Sequence, residues 1–250
     1  SWTACRGSNW RGSRRISPSR DAASQVLRPH AGMLVRMRAA VTSDDLFATS
    51  APRIEHLLAD AEGGVRLWRG AIPAARAAAW FEALQATVPW QAQRRPMYDR
   101  VVDVPRLLAS YALDTAAADA GHACVTDILD GLREACRGEP PMRDLAAVPF
   151  DSVGLNLYRD GSDSVAMHND TLRHLATRQP IVVLSLGATR RMALRAKDAP
   201  RASVAFDLHA GDVVAMGHAS QATHEHGIAK TTRSVGPRIS LAFRVRAGTR

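Results

Sequence analysis

The chain has 250 residues, 46% of them apolar, and a formal net charge of +9; it is long enough to bury a full core and is no small stapled scaffold. Its three cysteines, Cys5, Cys124 and Cys136, are scattered and form no CxxC pair, which argues against a disulfide framework or zinc ribbon and for a reducing compartment. No apolar run approaches the roughly 18 residues that cross a bilayer, and the N-terminus lacks a hydrophobic secretory core, so a cytoplasmic protein without membrane contact is expected.

Most of the charge lies at the start. Residues 1–40 hold eight arginines (Arg6, Arg11, Arg14, Arg15, Arg20, Arg28, Arg36 and Arg38) and one acid, Asp21, which leaves 25 basic and 23 acidic residues for the remainder. This Ser-, Arg- and Gly-rich stretch reads as a disordered basic tail over residues 1–42, with Met33 and Met37 as candidate starts, ahead of one domain over residues 43–250. Ser43 or Asp44 is a candidate cap for a short helix, and residues 52–59 read as a second, with Ile54, Leu57 and Leu58 on one face. Val65, Leu67 and Trp68 suggest a strand. Pro73 then opens an alanine-rich helix that sets Trp80, Phe81, Leu84 and Val88 at core spacing. A further helix is expected over residues 122–137, burying Val125, Ile128, Leu129, Leu132 and Cys136, with His122 capping it or on the surface.

From Ser152 onward the texture changes to short β-rich segments punctuated by Gly, Asp and Pro: 153–158, 164–168, 181–186, 191–195, 203–208, 212–216, 223–228 and 238–245. Their number and spacing argue for an α+β chain that is mainly β, a sandwich or barrel with the earlier helices on one sheet. In the last segment Ile239, Leu241 and Phe243 fall on one face, and Arg238, Ser240, Ala242 and Arg244 on the other. That second face suits either solvent or a polar cavity inside a barrel whose outer wall packs on helices.

Chemistry enters with His168 and Asp170, two apart at a strand end, and with a later strand that carries His224 and His226. Two histidines and one carboxylate on adjacent strands make a facial triad, which leaves coordination positions open and suits non-heme Fe(II). His224 and His226 share parity, so spacing alone does not choose between them. Asn156 and Tyr158 share the face of an earlier strand, and arginines such as Arg238 and Arg244 offer the planar fork that grips carboxylates. His174, His209 and His218 read as surface or loop residues, and Arg190 and Arg191 as a solvated hairpin end.

Several stretches in fixed order resemble the AlkB-type members of the 2-oxoglutarate- and Fe(II)-dependent dioxygenases: Val88-Pro89-Trp90, Pro105-Arg106-Leu107 with Tyr111, Asn156 through Gly161, and His168-Asn169-Asp170. Leu184 through Arg190, Gly211 through Val214, His226 with Lys230, and Gly236 through Arg244 continue the match, so that it covers residues 65–246. The resemblance implies a double-stranded β-helix, or jelly roll, with N-terminal helices packed on one sheet. It makes His168, Asp170 and His226 the iron ligands, and leaves His224 as a pocket-wall residue or one that supports a ligand from behind. It gives 2-oxoglutarate to Asn156, Tyr158, Arg238 and Arg244, Arg238 on the distal carboxylate and Arg244 near the carboxylate beside the keto group. Tyr98, Arg106 and Tyr111 fall where relatives build a nucleotide-recognition lid. Many relatives carry an acid two positions past the metal aspartate, where this chain has Leu172.

The implied activity uses Fe(II), 2-oxoglutarate and O2 to demethylate N-alkylated bases oxidatively in DNA or RNA, with single strands as the expected partner and a monomer as the expected state. A same-fold dioxygenase acting on a protein or small molecule is the alternative favoured by Leu172. A non-catalytic nucleic-acid-binding module is a third, and it has no use for both an iron set and an arginine set.

Overall fold

The computed structural model describes residues 53–97, 100–116, 119–199 and 201–248. The basic tail, the short helix expected at Ser43 or Asp44, Cys5 and Tyr98 lie outside them. Among the described residues the first half of the chain forms β1 (Arg53–Leu58), β2 (Val65–Arg69), α1 (Ala74–Thr87), β3 (Gln91–Met97), β4 (Arg100–Ala112), α2 (Ala120–Gly138) and α3 (Arg143–Ala146). The second half forms β5 (Ser152–Tyr158), β6 (Val165–His168), β7 (Ile181–Gly187), β8 (Arg190–Ala196), β9 (Ser203–Leu208) and β10 (Val213–Met216), then α4 (His218–Thr223), β11 (His224–Ile228) and β12 (Arg238–Arg244). All eight segments expected to be strands are strands.

The strands make a large sheet in the order β1-β2-β10-β7-β12-β5-β4-β3 and a small one in the order β6-β11-β8-β9, each pairing antiparallel. Alternation along the large sheet divides its side chains between two cores. Trp68, Leu155, Val182, Leu184, Ile239, Leu241 and Phe243 point to α1 and α2, where they meet Trp80, Phe81, Leu84, Ile128 and Leu132. Val65, Leu67, Ile181, Val214 and Met216 point the other way, against Met192, Leu194, Phe206, Leu208 and Ile228 of the small sheet. Two antiparallel sheets facing across this second core form the expected double-stranded β-helix, with the helices on the outer face of the large sheet.

Residues 52–59 do not form the expected helix. Ile54 pairs with Trp68 and packs toward the helices, whereas Leu57 and Leu58 pack into the inter-sheet core, and a register shift between His56 and Leu58 breaks the alternation that would have announced a strand. The turn after it is built for closeness: Asp60 Oδ1 accepts from the Glu62 and Gly64 amides at 2.8 and 2.7 Å, and a Cβ on Gly64, at φ +62°, would collide with the Leu58 backbone. His122 is also placed differently from expectation. It is buried one turn into α2, where Asp119 caps its amide at 2.7 Å and its Nε2 lies 2.6 Å from the Ala112 carbonyl of β4. β3 and β4 have no counterpart in the strands expected from sequence. They form a hairpin at one edge of the large sheet, continued inward by the pairing of β4 with β5.

Candidate active site

The polar face of β12 lies against the polar face of β5. Arg238 stands opposite Tyr158, Ser240 opposite Asn156 and Arg244 opposite Ser152, because both strands send alternate residues away from the helix layer. Arg238, Tyr158, Ser240, Asn156 and Arg244 line a cavity of about 710 Å³, together with His168 and His226 from the other sheet, Asp170 just past β6, and Gln91, Arg95 and Arg106 from the hairpin. The β12 face is therefore the cavity wall rather than a solvent face.

Arg238 is only 1% exposed. Its Nε donates to Ser185 Oγ at 3.0 Å, its guanidinium lies 5.2 Å from the Tyr158 ring centre, and its Nη1 has no hydrogen-bond partner among the described residues. Burial pushes its pKa down from the usual arginine range, partly offset by Tyr158. A buried cation with an unused donor and no carboxylate beside it is costly to the folded protein, and an anion delivered into the cavity would relieve that cost.

On the small sheet, β6 and β11 bring His168 and His226 opposite one another, with ring centres 4.4 Å apart. His168 Nδ1 lies 2.9 Å from the Ala166 carbonyl. A carbonyl only accepts, so Nδ1 carries the hydrogen and Nε2 keeps its lone pair. Burial, and then the neighbouring His168, push His226 down to about 4, so it is neutral at physiological pH. His224 instead pairs across from Ala196, sits 2.9 Å from Thr223 Oγ1 and does not line the cavity. The structure thereby separates two histidines that parity could not.

Asp170 lies two residues past the end of β6. Its amide donates to Gln221 Oε1 at 3.0 Å, and its carboxylate receives Arg244 Nη2 on both oxygens at 2.9 and 3.0 Å. With the carboxylate turned to Arg244, no three metal-type donors converge among the described residues. Each oxygen of Asp170 keeps a second lone pair beyond this bond, which is the donor it has left for a metal.

Of the residues expected in a substrate lid, Arg106 reaches the cavity but is already tied. Its Nε donates to Asn156 Oδ1 at 2.7 Å and its Nη1 to the Ser164 carbonyl at 3.1 Å. Tyr111 borders the cavity from a core-facing position of β4. It pairs with Val153 and its ring packs edge-on against His122, 5.5 Å between centres. Arg190 is not a solvated hairpin end: it is 3% exposed and donates to the carbonyls of Asp160, Asp163 and Ala229 at 2.7 to 2.9 Å, with its guanidinium 5.5 Å from the Tyr158 ring. Arg191 does face solvent, paired with Asp207. Sequence reasoning placed Ser240 on the right face but missed Ser185, Gln221, Gln91, Gln93 and Arg95; for these the alternation of Gln91, Gln93 and Arg95 was the one available signal.

A jelly roll whose inter-sheet cavity gathers two histidines, an aspartate and two arginines defines a class. Residues 64–244 match the 2OG-Fe(II) oxygenase superfamily. The chain belongs to that superfamily, whose members work with Fe(II), 2-oxoglutarate and O2. It is 31% identical over 179 residues to alpha-ketoglutarate-dependent dioxygenase alkB homolog 3 of Bos taurus, covering 66% of this chain and 59% of the bovine one. It is 32% identical over 102 residues to DNA oxidative demethylase ALKBH2 of Homo sapiens, covering 38% of this chain and 39% of the human one. The chain thus spans less than two thirds of these relatives. An oxidoreductase of the 2OG-Fe(II) oxygenase family from Burkholderia pseudomallei superposes with a TM-score of 0.48 at 19% identity, over 72% of this chain and 84% of that one.

The side chains present suit the two groups this family carries. The unused Arg238 donor at the buried end of the cavity matches a dicarboxylate, and two imidazoles with a carboxylate match Fe(II).

Proposed function

We propose that the chain catalyses Fe(II)- and 2-oxoglutarate-dependent oxidative demethylation of N-alkylated bases in nucleic acid, a direct reversal of alkylation damage. The observation that carries this reading is one cavity holding a buried arginine without an anion at one end and a pair of histidines side by side on neighbouring strands of the small sheet. The human relative, a DNA oxidative demethylase, supports the substrate class. His168, Asp170 and His226 would hold the iron; Asn156, Tyr158, Arg238 and Arg244 would hold 2-oxoglutarate, with Arg238 on its distal carboxylate.

When bound, these groups supply O2 activation and oxidation of a substrate C–H bond, with 2-oxoglutarate leaving as succinate and CO2. An N-methyl carbon hydroxylated in this way leaves as formaldehyde and restores the base. The chain's own residues prepare the site. The Ala166 carbonyl fixes the His168 tautomer, and the Gln221 side chain anchors the Asp170 backbone. Arg244 holds the Asp170 carboxylate, so cosubstrate that draws Arg244 away also frees Asp170. Arg190 ties the 160–163 loop to the end of β11 beside Tyr158, whose ring centre lies 5.5 Å from Arg190 and 5.2 Å from Arg238. An unpaired base enters such a cavity without the cost of unpairing, so single strands are the preferred substrate in this reading, acted on by a cytoplasmic monomer.

The test is release of formaldehyde and succinate from methylated single-stranded DNA, duplex DNA and RNA by the Fe(II)-loaded chain. Equal amounts of both products are expected, fastest from single strands. Succinate without formaldehyde from every oligonucleotide, alongside stimulation by a methylated peptide or metabolite, would keep the oxygenase and discard the nucleic-acid substrate.

A further inference from the structure

The cavity runs from fully buried Arg238 to the exposed side chains of β3, where Gln91, Gln93 and Arg95 line it, with half-buried Arg106 of β4 nearby. The charges along this path are unequal. Arg106 donates only to neutral acceptors, the Asn156 amide oxygen and the Ser164 carbonyl, and Arg95 has no ion-pair partner among the described residues. Burial lowers the Arg106 pKa; Tyr158 offsets part of this, the charge of Arg95 adds to it, and the Asp163 carboxylate opposes it.

The carboxylates lining the cavity among the described residues are Asp119 and Asp170, and both are engaged. Asp119 caps α2 through the His122 amide, and Asp170 takes both of its hydrogen bonds from Arg244. At the inner end Arg238 and Arg244 face the cosubstrate carboxylates of the reading above. At the outer end Arg95 and Arg106 line the path beside two side-chain amides, and neither Asp119 nor Asp170 is hydrogen-bonded to them among the described residues.

We propose that this outer end selects uncharged alkylated bases over cationic ones, an inference that rests on the base-demethylation reading. A neutral alkylated pyrimidine presents ring carbonyls that accept from arginine and glutamine. A cationic base presents a like charge at a half-buried site, where repulsion is only partly screened.

Two single-stranded oligonucleotides differing at one base test this: one carries 3-methylcytosine, a cation at neutral pH, the other 3-methyluracil, its uncharged counterpart methylated at the same ring nitrogen. Formaldehyde release by the Fe(II)-loaded full chain gives kcat/KM for each, and fluorescence anisotropy with iron-free protein gives binding. The uncharged base is expected to lead by about tenfold or more, the scale of one like-charge contact. Arg95→Gln and Arg106→Gln, made separately, should each narrow that ratio several-fold by improving the cationic base. Arg95 is exposed on an edge strand, so its variant folds even if the Arg106 variant does not. Equal or faster turnover of 3-methylcytosine overturns the proposal while leaving demethylation standing. So does an Arg95→Gln variant that weakens both oligonucleotides alike, which would assign Arg95 to the phosphate backbone. Turnover of neither base, with 2-oxoglutarate consumed in the presence of another class of substrate, removes the demethylase reading and the proposal with it.

Discussion

Replacing Arg238 by methionine sets stability against ligand binding, because the residue that costs the empty fold most is the one assigned to the cosubstrate. Removing an uncompensated buried cation in favour of an apolar side chain of similar length returns about 1–4 kcal/mol. Against this stand the lost Ser185 bond, about 1 kcal/mol, and the lost contact with the Tyr158 ring, about 0.5–1 kcal/mol. The balance runs from about −1 to +2.5 kcal/mol for Arg238→Met, a change in Tm between about −4 and +10 °C for a domain of this size. Thermal unfolding without and with saturating 2-oxoglutarate measures both halves. The ligand-free variant should melt within a few degrees of the parent or above it, and the upward shift that 2-oxoglutarate gives the parent, expected at about 3–4 kcal/mol at a hundred- to a thousandfold excess over Kd, should vanish. Arg238→Lys keeps the charge but loses the fork, so its 2-oxoglutarate affinity should fall by about 10- to 100-fold while metal binding persists. A variant Arg238→Met that melts well below the parent and still gains the full 2-oxoglutarate shift would refute the reasoning.

Three further outcomes follow from the same geometry. His226→Ala should abolish Fe(II) binding in a metal titration while His224→Ala retains it, since only His226 faces His168; the reverse result would reassign the ligand. Asp163 accepts from the Arg159 amide and from two guanidinium nitrogens at 2.8 Å, and these bonds hold its carboxyl below the usual range. Its contribution is therefore present above the unfolded carboxyl pKa of about 4 and is lost as pH falls through the lower folded value. Asp163→Asn should cost about 1–2 kcal/mol near neutrality, and chemical denaturation at stepped pH should show the difference from the parent shrinking below about pH 4. Deleting residues 1–42 removes eight arginines and should weaken single-strand binding uniformly across sequences and flatten its salt dependence, with the ranking of methylated bases unchanged; a changed ranking would mean that the tail reads sequence.

How much of this was legible depended on which neighbour each side chain answers to. β5 to β12 announced themselves because their alternation separates two cores, and the arginines of β12 stood out because Ile239, Leu241 and Phe243 fixed the opposite face. β3 and β4 gave no such contrast. Gln91, Gln93 and Arg95 border the cavity, and Pro96 and Pro105 interrupt the strand pattern, so a buried–exposed rhythm is missing. The residue types of the site were readable as a set, including both members of the Asp170–Arg244 pair. Their pairing was not, because it joins the segment after β6 to the last strand, 74 positions away.

The two buried arginines on either side of Tyr158 show where local reading stops. Arg190 and Arg238 both lie near that ring, at 5.5 and 5.2 Å, and their charges oppose one another across it. Arg190 spreads its charge over three backbone carbonyls from two loops, so it is satisfied by the fold itself and serves to hold those loops. Arg238 meets only hydroxyls, those of Ser185 and Tyr158, and keeps an idle Nη1 among the described residues. Sequence position ranks the two alike, since each begins a strand. The distribution of acceptors separates them: the saturated guanidinium is structural, and the unsaturated one is the member of the pair that an incoming carboxylate can complete.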